Sequence, residues 1–238
     1  GGILQVDLCR MTTAAIIPIK AFANVKQRLS ALLNEAERAA LAEAMLKDVL
    51  IAVGLCQYVD EVFLVSRDRA VHDIALEFDV QVIHEPEQAD LIGSVTYAAS
   101  VLEDRGYDRM LFLPGDVPLV TPDELDAICD GVSDPPMIRV VPASDLFGTN
   151  GLLVSPPAAI RFSFGPDSFR KHLEVAEQDS VRSEVIQLPG LGLDLDTPED
   201  LIQLCDRLAI GETASHTLVF MTDNAMSDRL SAWQKDSK

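Results

Sequence analysis

Short apolar runs alternate with amphipathic stretches through the first half of this 238-residue chain, and no other feature restricts its fold as much. The runs at 14–19, 61–66, 80–83 and 109–113 predict strands, and the stretches at 35–55, 69–78 and 92–105 predict helices. In the first of these helices Leu41, Met45, Val49 and Val53 recur on one face at helical spacing. Asn34 is placed to cap its start, and Gly54 lies near its end. A strand, then a helix, then a strand builds parallel pairs, because parallel neighbours need a crossover between them. The expected fold is therefore α/β: a single three-layer α/β/α domain.

The second half is less regular. Thr121-Pro122-Asp123-Glu124 joins a cap residue, a proline at the first helical position and the acid of a capping box. Thr197-Pro198-Glu199-Asp200 repeats that pattern and starts the last clear helix. Strands are expected at 137–142, 151–155 and 184–188, with 145–150 as a loop. Gly165-Pro166-Asp167-Ser168 opens a helix that runs to about 177. A mostly parallel, mixed sheet fits this order. Residues 1–10 are expected to be an N-terminal extension, with the domain starting at Met11 and running to 209. Residues 210–238 lose periodicity and are expected to be a weakly ordered tail, a weak helix or a disordered extension.

Composition narrows the partners. The formal net charge is -19 and the sequence pI is about 4.4. Such a surface repels polyphosphate backbones, so no nucleic-acid polymer is expected, while a small anion can bind where basic residues converge. No apolar run is long enough to span a bilayer, and no basic-then-apolar leader opens the sequence. The expectation is a cytoplasmic protein with no membrane partner. Cys9, Cys56, Cys129 and Cys205 are scattered without metal-ligand spacing. The last three sit in apolar surroundings, as small core residues do. A homodimer is compatible with the sequence, and nothing in the sequence decides the oligomeric state.

One stretch carries most of the chemistry. Met110-Leu111-Phe112 reads as a buried strand, and Leu113-Pro114-Gly115-Asp116-Val117-Pro118-Leu119 follows it. That order puts a lone carboxylate, Asp116, at a strand's carboxyl end, the edge where open α/β sheets bind ligands. A buried carboxylate needs a partner, and a metal ion suits one; the alternative is a turn Asp that caps the next segment. Lys20, Lys26 and Arg28 follow the first strand. Three cations there suit a triphosphate and the charge that builds as a phosphoryl bond breaks; the alternative is a solvated basic loop. No glycine-rich phosphate loop of either common kind is present, which removes P-loop and dinucleotide readings. In Asp194-Leu195-Asp196-Thr197 the two acids share one face of an extended segment. Either can join Asp116 around a divalent ion, and Asp196 is the better placed. Magnesium commonly takes one or two carboxylates and fills its shell with water and substrate phosphates. The free amides and hydroxyl at Gly165–Ser168 suit a phosphate or carboxylate, or form an ordinary cap. Gly148-Thr149-Asn150-Gly151 is a second small polar loop, also a hairpin signal. His172 lies near these residues and reads as a supporting group. No Ser/His/Asp or Cys/His arrangement is evident.

These residues together resemble the guanylyltransferases of coenzyme F-420 biosynthesis, which act on phosphoenolpyruvate, 2-phospho-L-lactate or 3-phospho-D-glycerate. The resemblance rests on Pro18-Ile19-Lys20, Lys26-Gln27-Arg28-Leu29-Ser30, 113–119, Gly148-Thr149-Asn150, Phe164-Gly165-Pro166-Asp167-Ser168-Phe169 with His172, and 193–200. It runs from about 14 to 208. It implies a nucleotidyltransferase domain with the GT-A-like, nucleotide-diphospho-sugar transferase fold. It also implies transfer of GMP from GTP to a small phosphorylated acid, with release of pyrophosphate. By position it implies Thr149, Gly165 and Ser168 at the acceptor's phosphate and carboxylate, Asp116 and Asp196 on Mg2+, and Lys20, Lys26 and Arg28 facing the triphosphate. The family reads something like Gly-Leu-Asn-Ala-Ala where this chain has Asp90-Leu91-Ile92-Gly93-Ser94. Ile92 cannot replace an asparagine's hydrogen bonds, so guanine selectivity rests on less than the reaction class does. An acceptor phosphate is already an anion near neutral pH, so this reaction needs no general base. Two alternatives are a molybdopterin-type nucleotidyltransferase and a catalytically silent protein that binds GTP or a phospho-acid.

Overall fold

A computed structural model describes residues 10–22, 25–132 and 134–236. Its seven strands are β1 (Thr13–Pro18), β2 (Glu61–Val65), β3 (Gln81–Ile83), β4 (Arg109–Phe112), β5 (Met137–Pro142), β6 (Thr149–Ser155) and β7 (Arg182–Val185). They form one sheet in the order β3-β2-β1-β4-β6-β5-β7. β1 pairs in parallel with both β2 and β4, and β2 with β3. β6 runs antiparallel to β4 and β5, and β7 is parallel to β5. The sheet is thus mostly parallel and mixed, as expected.

The central strands alternate sides. Ala14 and Ile16 enter one core and Ala15 and Ile17 the other; Met110 and Phe112 oppose Leu111 and Leu113 in the same way. Helices α1 (Glu35–Gly54), α2 (Arg69–Glu77) and α4 (Pro122–Cys129) cover one face. Helices α3 (Leu91–Asp104) and α5 (Ser168–Gln178) cover the other. The predicted caps form: Asn34 with Glu37 on α1, and Thr121 with Glu124 on α4. Thr197 with Asp200 caps α6 (Pro198–Ala209) in the same manner. Cys56 and Cys129 are buried and Cys205 is half-buried; Cys9 lies outside the described residues. Among the described residues no helix is long and apolar enough to cross a membrane.

Three expectations need correcting. The strand expected at 184–188 lies at Arg182–Val185, in register with the start of β5. β6 begins at Thr149, two residues earlier than expected, so Thr149 and Asn150 stand on a strand and not in a loop. The expected extension at 1–10 lies outside the described residues except for Arg10, whose guanidinium pairs with Asp60 at 3.2 Å.

The third correction concerns 210–238. Helices α7 (Ser215–Asp223) and α8 (Met226–Asp236) replace the expected weak tail. Ala214, Phe220, Met221, Met226 and Leu230 are buried against Leu41, Met45, Leu201 and Leu204. The packing follows from α1, which is apolar on more than the sheet-facing side. The buried Asp48 of α1 accepts the His216 and Thr217 amides at 2.9 and 2.8 Å, capping α7 from across the interface. Asp48→Ala leaves both amides without a partner. We expect it to cost on the order of 1–3 kcal/mol in urea unfolding; a change within error would mean that water replaces the cap freely.

Candidate active site

The chain leaves β1 for β2 and β3 on one side, then returns to place β4 on β1's other side. The β1–β4 boundary is therefore the sheet's topological switch point, and the crevice beyond its carboxyl ends is where such sheets bind ligands. Pro18 at the end of β1, Lys20 and Phe22 after it, and Pro114, Gly115 and Asp116 after β4 line a cleft there, with Lys26 and Leu91.

At the centre, the Lys26 ammonium donates to Asp116 Oδ2 at 2.5 Å and to Asp196 Oδ1 at 2.7 Å. Two acids distant in sequence thus meet around one cation. The leucines explain how. Leu193 and Leu195 are buried, so the intervening Asp194 and the following Asp196 point to the opposite side of the segment, where Asp196 meets Lys26. The Leu195 amide donates to the Asp116 carbonyl at 3.1 Å and anchors this segment to the end of β4. Lys26 itself sits at φ 52°, in the left-handed region, before the short 3-10 turn Gln27–Leu29. Its side chain is only 8% exposed. Burial works against its charge, but Asp116 and Asp196 outweigh it and hold the ammonium above the ordinary lysine range.

Asp194 is held differently. Asn150 Nδ2 donates to its Oδ1 at 2.9 Å. Burial raises its pKa, the Asn150 bond opposes this, and the nearby Asp116 and Asp196 charges raise it further. Among the described residues no three His, Cys, Asp or Glu side chains gather closely enough to enclose a metal alone. Two hard oxygen donors already sharing one cation still fit Mg2+, which draws its other ligands from water and substrate.

The basic trio does not stay together. Lys20 donates to Glu85 and the Ala89 carbonyl, both at 2.6 Å, and to Ser94 at 3.0 Å. Glu85 is nearly buried, and a carboxylate out of water draws the nearest ammonium. Lys20 therefore lines the cleft from the α3 side and does not touch the two aspartates. Arg28 stands exposed on the 3-10 turn. Of these three cations, Lys26 is the one that meets Asp116 and Asp196 directly.

Thr149, Gly165 and Ser168 converge at the start of α5. Successive β6 residues point to opposite faces, so Asn150 reaches Asp194 while Thr149 reaches α5. Thr149 Oγ1 lies 3.0 Å from His172 Nδ1 and 3.2 Å from Ser168 Oγ. Gly165, at φ 104°, makes the turn that brings Ser168 in. The helix-start amides are less free than expected: Ser168 N–H donates to Gly165 and Phe169 N–H to Phe147. The hydroxyls, more than the amides, are what this corner offers an anion. The sequence reading missed the Asn150–Asp194 bond, the Lys20–Glu85–Ser94 group and the engagement of His172. Only the proximity of His172 to the Phe-Gly-Pro segment hinted at the last.

Burial drives the His172 pKa down from 6.5 to about 4, against a backbone hydrogen bond to Ser168. The unfolded chain therefore takes up this proton first as pH falls. The resulting stability is complete above about pH 6.5 and drains as pH drops through about 4. Denaturant unfolding across that window should show a steeper loss in the wild type than in His172→Asn; equal slopes would contradict the assignment.

Comparison with known proteins adds the context. The model of a family described as "Guanylyl transferase CofC like" matches residues 13–216. A phosphoenolpyruvate guanylyltransferase from Conexibacter woesei is 36% identical over 200 residues, covering 84% of this chain and 90% of that protein. A 2-phospho-L-lactate guanylyltransferase from Methanothermobacter thermautotrophicus is 34% identical, covering 80% and 83%. A 3-phospho-D-glycerate guanylyltransferase from Colwellia psychrerythraea is 33% identical, covering 80% and 90%. Among solved structures, a nucleotidyl transferase from Methanothermobacter superposes with a TM-score of 0.59 at 18% identity, over 82% of this chain and 97% of that one. That last likeness concerns the fold.

Proposed function

We propose, starting from the fact that this chain belongs to the CofC-like guanylyl transferase family, that it transfers GMP from GTP to a small phosphorylated acid and releases pyrophosphate. Its named relatives act on phosphoenolpyruvate, 2-phospho-L-lactate or 3-phospho-D-glycerate. The observation that carries the reading is the meeting of Asp116 and Asp196 on the Lys26 ammonium at the switch point of the sheet.

In this reading the acceptor's phosphate oxygen attacks the α-phosphorus of GTP, in line with the departing pyrophosphate. The attacking oxygen is an anion already, so no residue has to remove a proton. What the protein supplies is position and positive charge. Lys26 is poised between the acids and the cleft, so its ammonium can pass to a phosphate oxygen once another cation takes its place. Lys20 adds charge from the α3 side. Thr149 and Ser168 hold the acceptor's anionic group, with Gly165 shaping the turn. Asp116 and Asp196 would hold Mg2+, which supplies charge neutralisation on the triphosphate. The molybdopterin alternative has no observation in its favour.

Pyrophosphate release from GTP tests this, with each of the three acids and with none. Release that requires one of the acids is expected. GTP binding without acid-dependent release would favour the silent binding protein instead.

A further inference from the structure

His172 is completely buried on α5, and both its ring nitrogens are engaged. Nε2 lies 3.1 Å from the backbone nitrogen of Ser163, which donates to it. A backbone N–H can only donate, so Nε2 is the bare nitrogen. A neutral ring then carries its proton on Nδ1, 3.0 Å from Thr149 Oγ1, with the Ser168 backbone carbonyl as a second acceptor beside it. Burial keeps the ring neutral near pH 7. Phe164 packs edge-on against it, centroids 4.9 Å apart, and limits rotation of its plane.

The direction of that proton decides what the corner offers a ligand. The Thr149 and Ser168 hydroxyls are nearly buried and 3.2 Å apart. Two hydroxyls hold two protons, and one is used between them. If His172 donates to Thr149, the other proton has no partner among the described residues and is left for a ligand. If His172 accepted instead, Thr149 would spend its proton on the ring and Ser168 would spend its own on Thr149. Only lone pairs would then be left for a ligand. Lone pairs repel a carboxylate or phosphate, whereas an O–H forms a short, strong bond with it.

We propose that His172 is a positioning residue: with Nε2 taken by the Ser163 N–H, its protonated Nδ1 faces Thr149 and cannot accept from it, so in the hydroxyl pair, where Ser168 donates to Thr149, the Thr149 proton stays available and the pair is a net donor toward the acceptor's anionic group. His172 acts through Thr149 from behind it. The inference rests on the reading of Thr149 and Ser168 as acceptor contacts, and its test separates the two.

The first measurement needs no variant and no activity. Long-range proton–nitrogen correlation of the imidazoles in the 15N-labelled full chain at pH 7 should show His172 protonated on Nδ1 and bare on Nε2. A proton on Nε2 overturns the proposal. The second is a KM split. An asparagine amide nitrogen stands near the place of Nδ1, a glutamine's near that of Nε2. His172→Gln is expected to raise the acceptor KM about tenfold or more with the KM for GTP unchanged, and His172→Asn to restore most of the loss. Thr149→Val should match the glutamine variant. If Thr149→Val raises the acceptor KM and His172→Gln does not, the proposal falls and the acceptor reading stands. If Thr149→Val leaves the acceptor KM unchanged, both fall.

Discussion

Asp116→Asn is expected to lower turnover by at least on the order of 10²–10³ while the protein stays folded. The substitution keeps the shape of the side chain and removes its charge. The backbone carbonyl of Asp116, which anchors Leu195 at 3.1 Å, is untouched. The carboxylate itself is part-exposed and bonds Lys26, which keeps Asp196 as a partner at 2.7 Å, so its loss does not strand the nearly buried ammonium. What disappears is half of the anionic pair around which the cation and the triphosphate are arranged. Thermal unfolding within a few degrees of wild type, together with a loss of acid-dependent pyrophosphate release, is the expected pair of results. Near-normal release would remove Asp116 from the mechanism.

Lys26→Met should have the second largest effect, and in two opposed directions. Methionine matches the length of the lysine stem and carries no charge. Without the ammonium, Asp116 and Asp196 face each other with nothing between them. Like charges so placed attract any divalent cation more strongly, because the cation no longer competes with an internal partner. We therefore expect Mg2+ to bind the nucleotide-free variant more tightly than the wild type, read as a larger rise in melting temperature per added Mg2+. Turnover should nevertheless fall by on the order of 10²–10³, since one charge aimed at the triphosphate is gone. The double variant Asp116→Asn/Lys26→Met should be little worse than either alone, because both act on one unit. Weaker Mg2+ binding in Lys26→Met would show that the lysine does not share the site with the metal.

The elements of the parallel half and the mostly parallel character of the sheet were legible because they write themselves into local pattern: apolar runs, helical spacing and capping boxes each depend on near neighbours. Asp116 and the acids at 194 and 196 were legible for the same reason, as charged residues interrupting apolar alternation. What stayed hidden depends on distant partners. Lys20 belongs to Glu85, 65 residues away, and no local signal says that Glu85 is buried. The order in α7 and α8 depends on Asp48 and on a second apolar side of α1, 168 residues earlier in the chain. β6 could not be bounded because Thr149 and Asn150 look like turn residues. They are held in the strand by His172 on one side and Asp194 on the other.

The most direct test is mass spectrometry of the products formed from GTP and Mg2+ with phosphoenolpyruvate, 2-phospho-L-lactate or 3-phospho-D-glycerate, run beside Asp116→Asn. With at least one acid, the wild type should yield a species equal in mass to GTP plus the acid less pyrophosphate, and the variant almost none. Absence of any guanylylated acid from the folded wild-type protein, or its undiminished formation by the variant, would contradict the central claim that Asp116, Asp196 and Lys26 together carry the transfer.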